Sequence, residues 1–363
     1  MSTIREVADK SGVSTATVSR VLAGGHARLR CSPQVIQRVE TIAKDLGYRV
    51  NYHMRSVRKK RSDAIGYITE RHPQTHGNEA GSWYLEQILE GVQVAVQSAG
   101  CAVMQVRSNK LEQNDKPALV RGLNFVQERR LDGLVLPGIL SSFHGRLDNP
   151  AYDDMPVVVV EPVEQARWCS IRFDELAGIQ QIIDHLMQLG HRQLLWLGPT
   201  CTWANRTTVR EQLVMRAAFS TGARGHCCFY AEPVTIGIEA LVQRAEDAML
   251  SYLAGDPPPF TAVVAYNDLT ALGVCRALAR KGISVPRQVS VTGFDDHCAS
   301  LCWPPVTTVT HELFEMGRCA GERVLELINA DPDKRDELRQ RHETFTPRLI
   351  VRESTGPVAA GNP

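Results

Sequence analysis

Residues 3–22, TIREVADKSGVSTATVSRVL, predict two short helices joined by a tight turn. The apolar side chains of the first helix share one face: Ile4, Val7 and Ala8. Gly12 suits the turn because glycine adopts the left-handed backbone conformation at little cost, and Ser14 is placed to cap the second helix. A second helix of this kind can lie in the DNA major groove with its first turn against base edges. An ordinary helical hairpin has the same local pattern.

The distribution of charge favours DNA binding. The whole chain of 363 residues has a formal net charge of +1, but residues 1–62 carry 13 Lys or Arg against 4 Asp or Glu, which is +9. The remaining residues carry 28 basic and 36 acidic side chains, which is −8. A small basic segment on an acidic body is expected of a DNA-binding domain joined to a domain that does not bind DNA.

A third helix is predicted to begin at Pro33. Ser32 and Pro33 suit an N-cap and a first helical position, apolar residues follow at helical spacing, and Gly47 ends the pattern. The sequence therefore predicts a three-helix domain over residues 1–48, and its regular apolar spacing argues against a disordered basic tail.

Short apolar runs alternate with amphipathic helical stretches after residue 62. The runs are AIGYIT (64–69), CAVMQV (101–106), DGLVLP (132–137), PVVVVE (156–161), QLLWLG (193–198), HCCFY (226–230), TAVVAY (261–266) and VSVTGFD (289–295). The helical stretches are 84–99, 117–130, 176–190, 208–221, 237–254 and 269–282, with glycines at expected helix ends: Gly100, Gly190, Gly222 and Gly282. This alternation predicts an α/β fold of two doubly wound parallel-sheet lobes. A ligand is expected in the cleft between the lobes, beyond the carboxyl ends of the strands.

The sequence lacks the common signatures of enzymes and cofactor sites. It contains no GxGxxG, GxxxxGK[ST], HExxH or GxSxG, so we expect no cofactor and no catalytic activity. The ten cysteines include no CxxC pair, and we expect buried or free thiols rather than a metal site. No apolar run has transmembrane length and no signal peptide is evident, which favours a cytoplasmic protein without a membrane partner.

The first two helices resemble the headpiece of the lactose-repressor (LacI-type) transcription factors. The matching residues are Thr3-Ile4-Arg5-Glu6-Val7-Ala8, Gly12-Val13-Ser14 and Thr17-Val18-Ser19-Arg20-Val21. The resemblance implies that Thr15, Ala16 and Arg20 read bases, and Arg20 can donate two hydrogen bonds to a guanine edge. The predicted DNA-binding set on this helix also includes Thr17 and two serines that hold phosphate or cap the helix, Ser14 and Ser19.

Residues 49–62 resemble the hinge that follows this headpiece. In the family the hinge folds on DNA and wedges a leucine pair into the minor groove. The residues that match the hinge pattern here are Asn51, Met54, Arg55 and Val57, and Val57 is at the wedge position. Val57 is β-branched and smaller than leucine, which predicts weaker helix formation and a shallower wedge. The basic cluster from Arg58 to Arg61 either adds salt-dependent phosphate affinity or is a solvated tether.

The body resembles the periplasmic-sugar-binding-like core of the same family over nearly its full length. The match is carried by residues 189–192, Asn267-Asp268, residues 271–273, Gly293-Phe294-Asp295-Asp296, residues 304–309 and residues 347–355. It implies effector contacts from Trp83, Tyr84, Asp174, Arg210 and Asp268. The expected ligand is a sugar, because carboxylates accept sugar hydroxyls and aromatic faces pack on sugar rings.

These residues also suit purely structural roles. Trp83 and Tyr84 are equally expected in the core, Asp268 could cap the helix that follows it, and Arg210 could form a surface salt bridge. The family's Arg-x-x-Gly-aromatic context is broken after Arg210, where Leu213 and Val214 occupy the last two positions.

Together the resemblance implies a DNA-binding regulator, a repressor, in the cytoplasm at the nucleoid. It is expected to bind a near-palindromic operator as a homodimer under the control of a small molecule. The lobes are expected over about residues 63–165 with 297–322, and about residues 166–296 with 323–355. Three alternatives remain open from the sequence: control by a protein co-regulator, control by a non-sugar ligand such as a purine, and a sugar-binding protein with a vestigial head. A sugar-modifying enzyme would need an acid–base pair or a cofactor site, and the sequence offers neither.

Overall fold

A computed structural model of the chain describes residues 2–23, 30–49, 60–71, 82–109, 118–137, 152, 154–161, 168–200, 206–231 and 237–358. They form two compact units, Met1–Ser62 and Asp63–Pro363, and each unit has a hydrophobic core of its own. Within these ranges, no helix combines the length and the apolar character needed to cross a bilayer.

The first unit consists of three helices: α1 (Ile4–Ser11), α2 (Thr15–Ala23) and α3 (Pro33–Asp45). Its core draws on all three at the predicted spacing: Val7, Ala8, Val18, Val21, Val39 and Ala43. A reciprocal capping box begins α1. The Glu6 N–H donates to Thr3 Oγ1 at 3.3 Å, and the Thr3 N–H donates to Glu6 Oε2 at 3.2 Å.

The turn between α1 and α2 forms around Gly12, as predicted. Gly12 has a φ of 65°, in the left-handed region that favours glycine, and its N–H bonds carbonyls in the last turn of α1. The Thr17 N–H donates to Ser14 Oγ at 3.1 Å, which confirms Ser14 as the N-cap of α2. The helix-turn-helix prediction is therefore confirmed.

The strands of the second unit are β1 (Ala64–Arg71), β2 (Ala102–Asn109), β3 (Gly133–Pro137), β4 (Val157–Val160), β5 (Cys169–Phe173), β6 (Gln193–Thr200), β7 (Arg224–Ala231), β8 (Ala262–Ala265), β9 (Ser290–Thr292), β10 (Thr308–Thr310), β11 (His342–Phe345) and β12 (Arg348–Ile350). Its helices are α4 (Ser82–Ser98), α5 (Ala118–Gln127), α6 (Glu175–Gln188), α7 (Arg206–Ser220), α8 (Ile238–Ala254), α9 (Asp268–Arg280), α10 (Leu313–Asn329) and α11 (Pro332–Arg339). All eight apolar runs that the sequence predicted as strands overlap one of these strands. The four glycines predicted at helix ends all have positive φ.

Two parallel sheets organise the second unit, which confirms the prediction of two α/β lobes. The first sheet has the order β11-β5-β4-β3-β1-β2 and the second has the order β7-β6-β8-β9. Helices α4, α5 and α10 pack on the first sheet, and α7, α8 and α9 pack on the second. Strands β10 and β12 form a separate antiparallel pair.

The structure corrects the predicted boundaries of the lobes. Residues 169–173 and 342–345 were assigned to the second lobe, but β5 pairs with β4, and β11 pairs with β5, in the first sheet. The C-terminal part of α10, beyond residue 322, also packs on the first sheet, because Val324 and Leu327 belong to its core. The chain therefore crosses between the lobes after β5, between β9 and α10, and after β11.

Candidate functional site

In the first unit, the residues expected to contact DNA lie on the side of α2 that faces away from the core. Ser14, Thr15, Ala16 and Arg20 are exposed, whereas Thr17 and Ser19 are half-buried. Because Val18 and Val21 are buried against the other helices, the polar side of this amphipathic helix is available to a partner. The predicted hinge contacts Asn51, Met54, Arg55 and Val57 lie outside the described residues.

In the second unit, Arg210 of α7 is the centre of a buried ion-pair cluster. Its Nε donates to Glu175 Oε2 at 2.8 Å, and its Nη2 donates to Glu175 Oε1 at 3.2 Å. Nη2 also lies 3.4 Å from Asp295 Oδ1, and Nη1 donates to the Tyr266 carbonyl at 2.9 Å. The Arg210 side chain is 4% exposed, so a surface salt bridge is the wrong interpretation of this residue.

The surroundings keep Arg210 charged. Burial opposes the guanidinium charge, but attraction to Glu175 and Asp295 outweighs it, so the pKa of Arg210 is raised above its ordinary value. The guanidinium carbon also lies 4.1 Å from the centre of the Phe294 ring and 4.9 Å from that of Tyr266.

His311 joins this cluster to the first lobe. Its Nε2 lies 3.2 Å from Asp295 Oδ1. Its ring stacks on Phe173, with 3.9 Å between centroids and an angle of 12°, and meets Tyr84 and Phe294 edge-on. Phe173 ends β5 of the first sheet and Phe294 follows β9 of the second, so His311 lies where segments of the two lobes meet.

Asp268, a predicted effector contact, lies in the interior and is 1% exposed. Its Oδ2 accepts the His297 N–H at 2.7 Å, and its Oδ1 accepts Thr308 Oγ1–H at 2.7 Å. Burial, reinforced by the charge of Asp295, raises the pKa of Asp268 well above its ordinary value. The helix cap suggested for Asp268 belongs instead to Asn267, whose Oδ1 accepts a backbone N–H of α9 at 3.0 Å.

Trp83 and Tyr84 lie at the start of α4 and are half-buried. Trp83 stacks on His297 with 4.3 Å between centroids and an angle of 17°, and Tyr84 contacts His311. Both side chains also pack against the hydrophobic core. The aromatic pair therefore lies beside the Arg210 cluster. It also packs in part against the hydrophobic core, which is the structural role that the sequence left open.

Asp174, the remaining predicted effector contact, caps α6. Its Oδ1 accepts the Ala177 N–H at 2.9 Å. The next residue, Glu175, reaches Arg210, so the cluster takes its carboxylate from the position after the predicted one.

A cavity of about 290 Å³ shares Asp295 and His311 with the cluster. It is lined by Trp83 and Gln87 of α4, residues 295–296, residues 310–315 and Arg348. Within the described part of the chain, no group of three or more His, Cys, Asp or Glu side chains is arranged to hold a metal ion.

Sequence reasoning missed Glu175, Asp295 and His311 as members of the site. Asp295 stood in the Gly-Phe-Asp-Asp motif and Glu175 next to a predicted contact, so local signals pointed near both. His311 follows the short strand Thr308–Thr310 and carries no motif of its own, and only the folded arrangement identifies it.

Two family models match the chain. The model described as bacterial regulatory proteins, lacI family, matches residues 3–51, and the periplasmic binding protein-like domain matches residues 183–355. The HTH-type transcriptional repressor CytR of Escherichia coli (strain K12) is 24% identical over 364 residues, which cover 97% of this chain and 96% of that protein.

Solved structures show the same fold. The lac repressor dimer bound to operator and the anti-inducer ONPF has a TM-score of 0.76 at 22% identity, covering 98% of this chain and 99% of that chain. The complex of the transcriptional regulator CelR with cellobiose has a TM-score of 0.62 at 24% identity, covering 98% of this chain and 100% of that chain. Residues 3–51 therefore belong to the lacI family of bacterial regulatory proteins, and residues 183–355 form a periplasmic binding protein-like domain.

Proposed function

We propose that this chain is a sequence-specific transcriptional repressor whose first unit binds operator DNA under the control of a small molecule bound to the second unit. The observation that carries the proposal is α2, which presents Thr15, Ala16 and Arg20 to solvent while its other face closes a packed helix-turn-helix core. Such a helix enters the major groove with its first residues against base edges. Asn51, Met54, Arg55 and Val57 are proposed to follow the minor groove. The relatives named above are regulators, which supports a binding role rather than catalysis.

We infer a homodimer on a near-palindromic operator. Two large apolar side chains, Leu301 and Trp303, are 86% and 87% exposed and only two residues apart, which is typical of a surface that another protein covers. A two-fold dimer would present two copies of α2 to two half-sites of one operator.

The effector is proposed to bind in the cavity between α4 and the segments that cross between the lobes. Trp83 and Asp295 offer the aromatic face and the carboxylate that a sugar-like ligand requires, and the CelR complex with cellobiose supports this class of ligand. We propose that the carboxylate that contacts the ligand is that of Asp295 rather than that of Asp268, because Asp268 has almost no exposed surface. A ligand there acts by favouring one arrangement of the two lobes, and operator DNA must change its affinity by the same factor.

The decisive experiment selects binding sites from a random DNA library with the purified chain and measures competition between the selected site and point variants. Arg20→Ala is expected to lose at least about fivefold of the preference at one guanine, because a bidentate arginine contact supplies about 1–3 kcal/mol of discrimination. Arg38→Ala, which changes an exposed arginine on α3, is the matched control and should keep the full preference. Failure to select any sequence would contradict the proposal and favour the vestigial-head alternative, whereas full preference in Arg20→Ala would contradict base reading by Arg20.

A protein co-regulator is the main alternative to a small-molecule effector. A chain that binds its operator but responds to no sugar, amine or purine in a thermal-shift screen would favour that alternative.

A further inference from the structure

The cavity described above is lined mainly by hydrogen-bond acceptors. Four carboxylates line it, those of Asp295, Asp296, Glu312 and Glu315. Among the described residues of its lining, Arg348 is the only Lys or Arg. Carboxylate oxygens accept more than one hydrogen bond, so those paired with an arginine can also accept N–H or O–H groups of a ligand.

Three of the residues that carry these carboxylates have a backbone conformation that residues other than glycine rarely adopt. Asp295, Asp296 and Glu312 have φ values of 96°, 55° and 50°. An arginine holds each carboxylate: Asp295 pairs with Arg210 at 3.4 Å, Asp296 with Arg352 at 2.7 Å and Glu312 with Arg348 at 2.8 Å. Residues held in such conformations cluster at ligand sites, where the surrounding structure fixes the geometry in advance.

The arginine that would bind an anion is already occupied. All three guanidinium nitrogens of Arg210 donate to acceptors within the protein, namely Glu175, Asp295 and the Tyr266 carbonyl. Its side chain is 4% exposed. A carboxylate or phosphate on the ligand would therefore face hydrogen-bond acceptors at the cavity wall, and Arg210 would not be available to bind it.

His311 gives an independent indication that a ligand binds here. It lines the cavity, is 1% exposed, and its Nδ1 has no hydrogen-bond partner within the described residues. Its Nε2 lies 3.2 Å from Asp295 Oδ1 and 3.5 Å from Arg210 Nη2, so both of these neighbours belong to the cluster. Nδ1 is the polar atom that remains for a hydrogen bond with the ligand.

Building on the proposed function, we propose that the effector carries a protonated amine together with hydroxyl groups, as amino sugars and related polyol amines do. The ammonium is recognised by the carboxylates of the cavity, and Trp83, in the same lining, adds the attraction of an indole ring for cations.

The test uses the full chain and matched pairs of ligands at slightly acidic pH, where the amines are protonated. The pairs are D-glucosamine with N-acetyl-D-glucosamine and putrescine with 1,4-butanediol, and D-glucuronate is the anionic comparison. Calorimetry and thermal shift should show each amine binding at least about tenfold more tightly than its neutral partner. Equal responses within each pair, including no response to either member, overturn the proposal, as does a preference for glucuronate.

Charge-neutral variants test whether the binding occurs in this cavity. Asp296→Asn and Glu315→Gln keep the shape of the side chain, and each should weaken the amine by about tenfold while leaving its neutral partner unchanged. Asp333→Asn, on the exposed surface of α11, is the matched control and should bind as the unmodified chain does. Unchanged amine affinity in both cavity variants overturns the assignment. Operator binding measured without ligand tests the proposed function separately, so the two failures are distinguishable.

Discussion

Replacing Arg210 by methionine tests whether the buried cluster holds the second lobe together. Methionine keeps most of the length of the side chain but removes the charge and every donor. Glu175 and Asp295 then lose their shared counter-charge, and the Tyr266 carbonyl loses the N–H that it accepts at 2.9 Å. We expect Arg210→Met to fold but to unfold at a clearly lower urea concentration.

The magnitude follows from the burial of the three charges. Removing one partner of a buried ion pair costs about 3–5 kcal/mol, since the other charge remains without compensation. Glu175 and Asp295 are 16% and 20% exposed, so water reaches them and the cost lies toward the lower end of that range. The orphaned carbonyl adds about 1 kcal/mol. The expected loss in free energy of unfolding is therefore about 4 kcal/mol.

Urea denaturation followed by fluorescence and circular dichroism measures this loss. Trp196, one of five tryptophans, is 0% exposed in β6, the strand on which α7 packs, so its contribution to the emission changes when the second lobe unfolds. Adding Glu175→Gln to Arg210→Met removes one uncompensated charge and should recover about 1 kcal/mol or more. Arg318→Met breaks an exposed ion pair on α10 and should stay close to the unmodified chain.

Two results would refute this reasoning. One is a loss below about 1 kcal/mol for Arg210→Met, which is the scale of a solvent-exposed pair. The other is a double variant no more stable than Arg210→Met, because the destabilisation would then come from packing rather than from uncompensated charge.

Two further predictions concern Asp268 and the exposed apolar surface. Because folding raises the pKa of Asp268 above its ordinary value of 3.8, the folded chain binds this proton more tightly than the unfolded chain, and the stabilisation is lost as pH rises from that value through the folded pKa. Asp268→Asn should therefore gain stability relative to the unmodified chain with rising pH in urea titrations, and a difference independent of pH would contradict this. Trp303→Ser should convert the proposed dimer to a monomer in sedimentation velocity, whereas Phe219→Ser, at another highly exposed apolar residue, should not. A dimer that persists in Trp303→Ser would place the interface elsewhere.

Local sequence patterns were sufficient for the elements but not for their partners. The three head helices, the Ser14 cap and the predicted strand runs follow from apolar spacing and capping residues alone. Residues 169–173 were assigned to the wrong lobe because CSIRF was not recognised as a strand, and nothing in it specifies pairing with β4. Strand β11, HETF, contains little apolar sequence. It joins the first sheet through its pairing with β5.

The candidate site shows the same limit more sharply. The Asn267-Asp268 pair gave two polar residues at a helix start, and the sequence cannot tell which one caps the helix and which is buried. Glu175 and Arg210 are separated by 35 residues, and Arg210 and His311 by 101. Contacts at such separations depend on where the segments that cross between the lobes meet. Apolar periodicity does not predict those positions.

The walls of the cavity differ in how freely they can move. Gly91 of α4 and Gly317 of α10 bring the two helix backbones into contact, because a Cβ at Gly91 would collide with the Phe314 carbonyl and a Cβ at Gly317 with that of Ile88. A relative shift of α4 and α10 would break this close packing. The part of the cavity formed by these two helices therefore behaves as one rigid wall.

Another part of the cavity wall consists of Asp295 and Asp296, which follow β9 of the second sheet. Asp295 is tied through Arg210 to α7, and Asp296 through Arg352 to the segment after β12. A ligand that binds both walls can favour one arrangement of the lobes only through contacts that change between the arrangements. Because the close packing of α4 and α10 resists a relative shift of the two helices, we expect the contacts to Asp295 and Asp296 to be among those that change. The coupling between effector and operator should therefore weaken in Arg210→Met even where the affinity for the effector is retained.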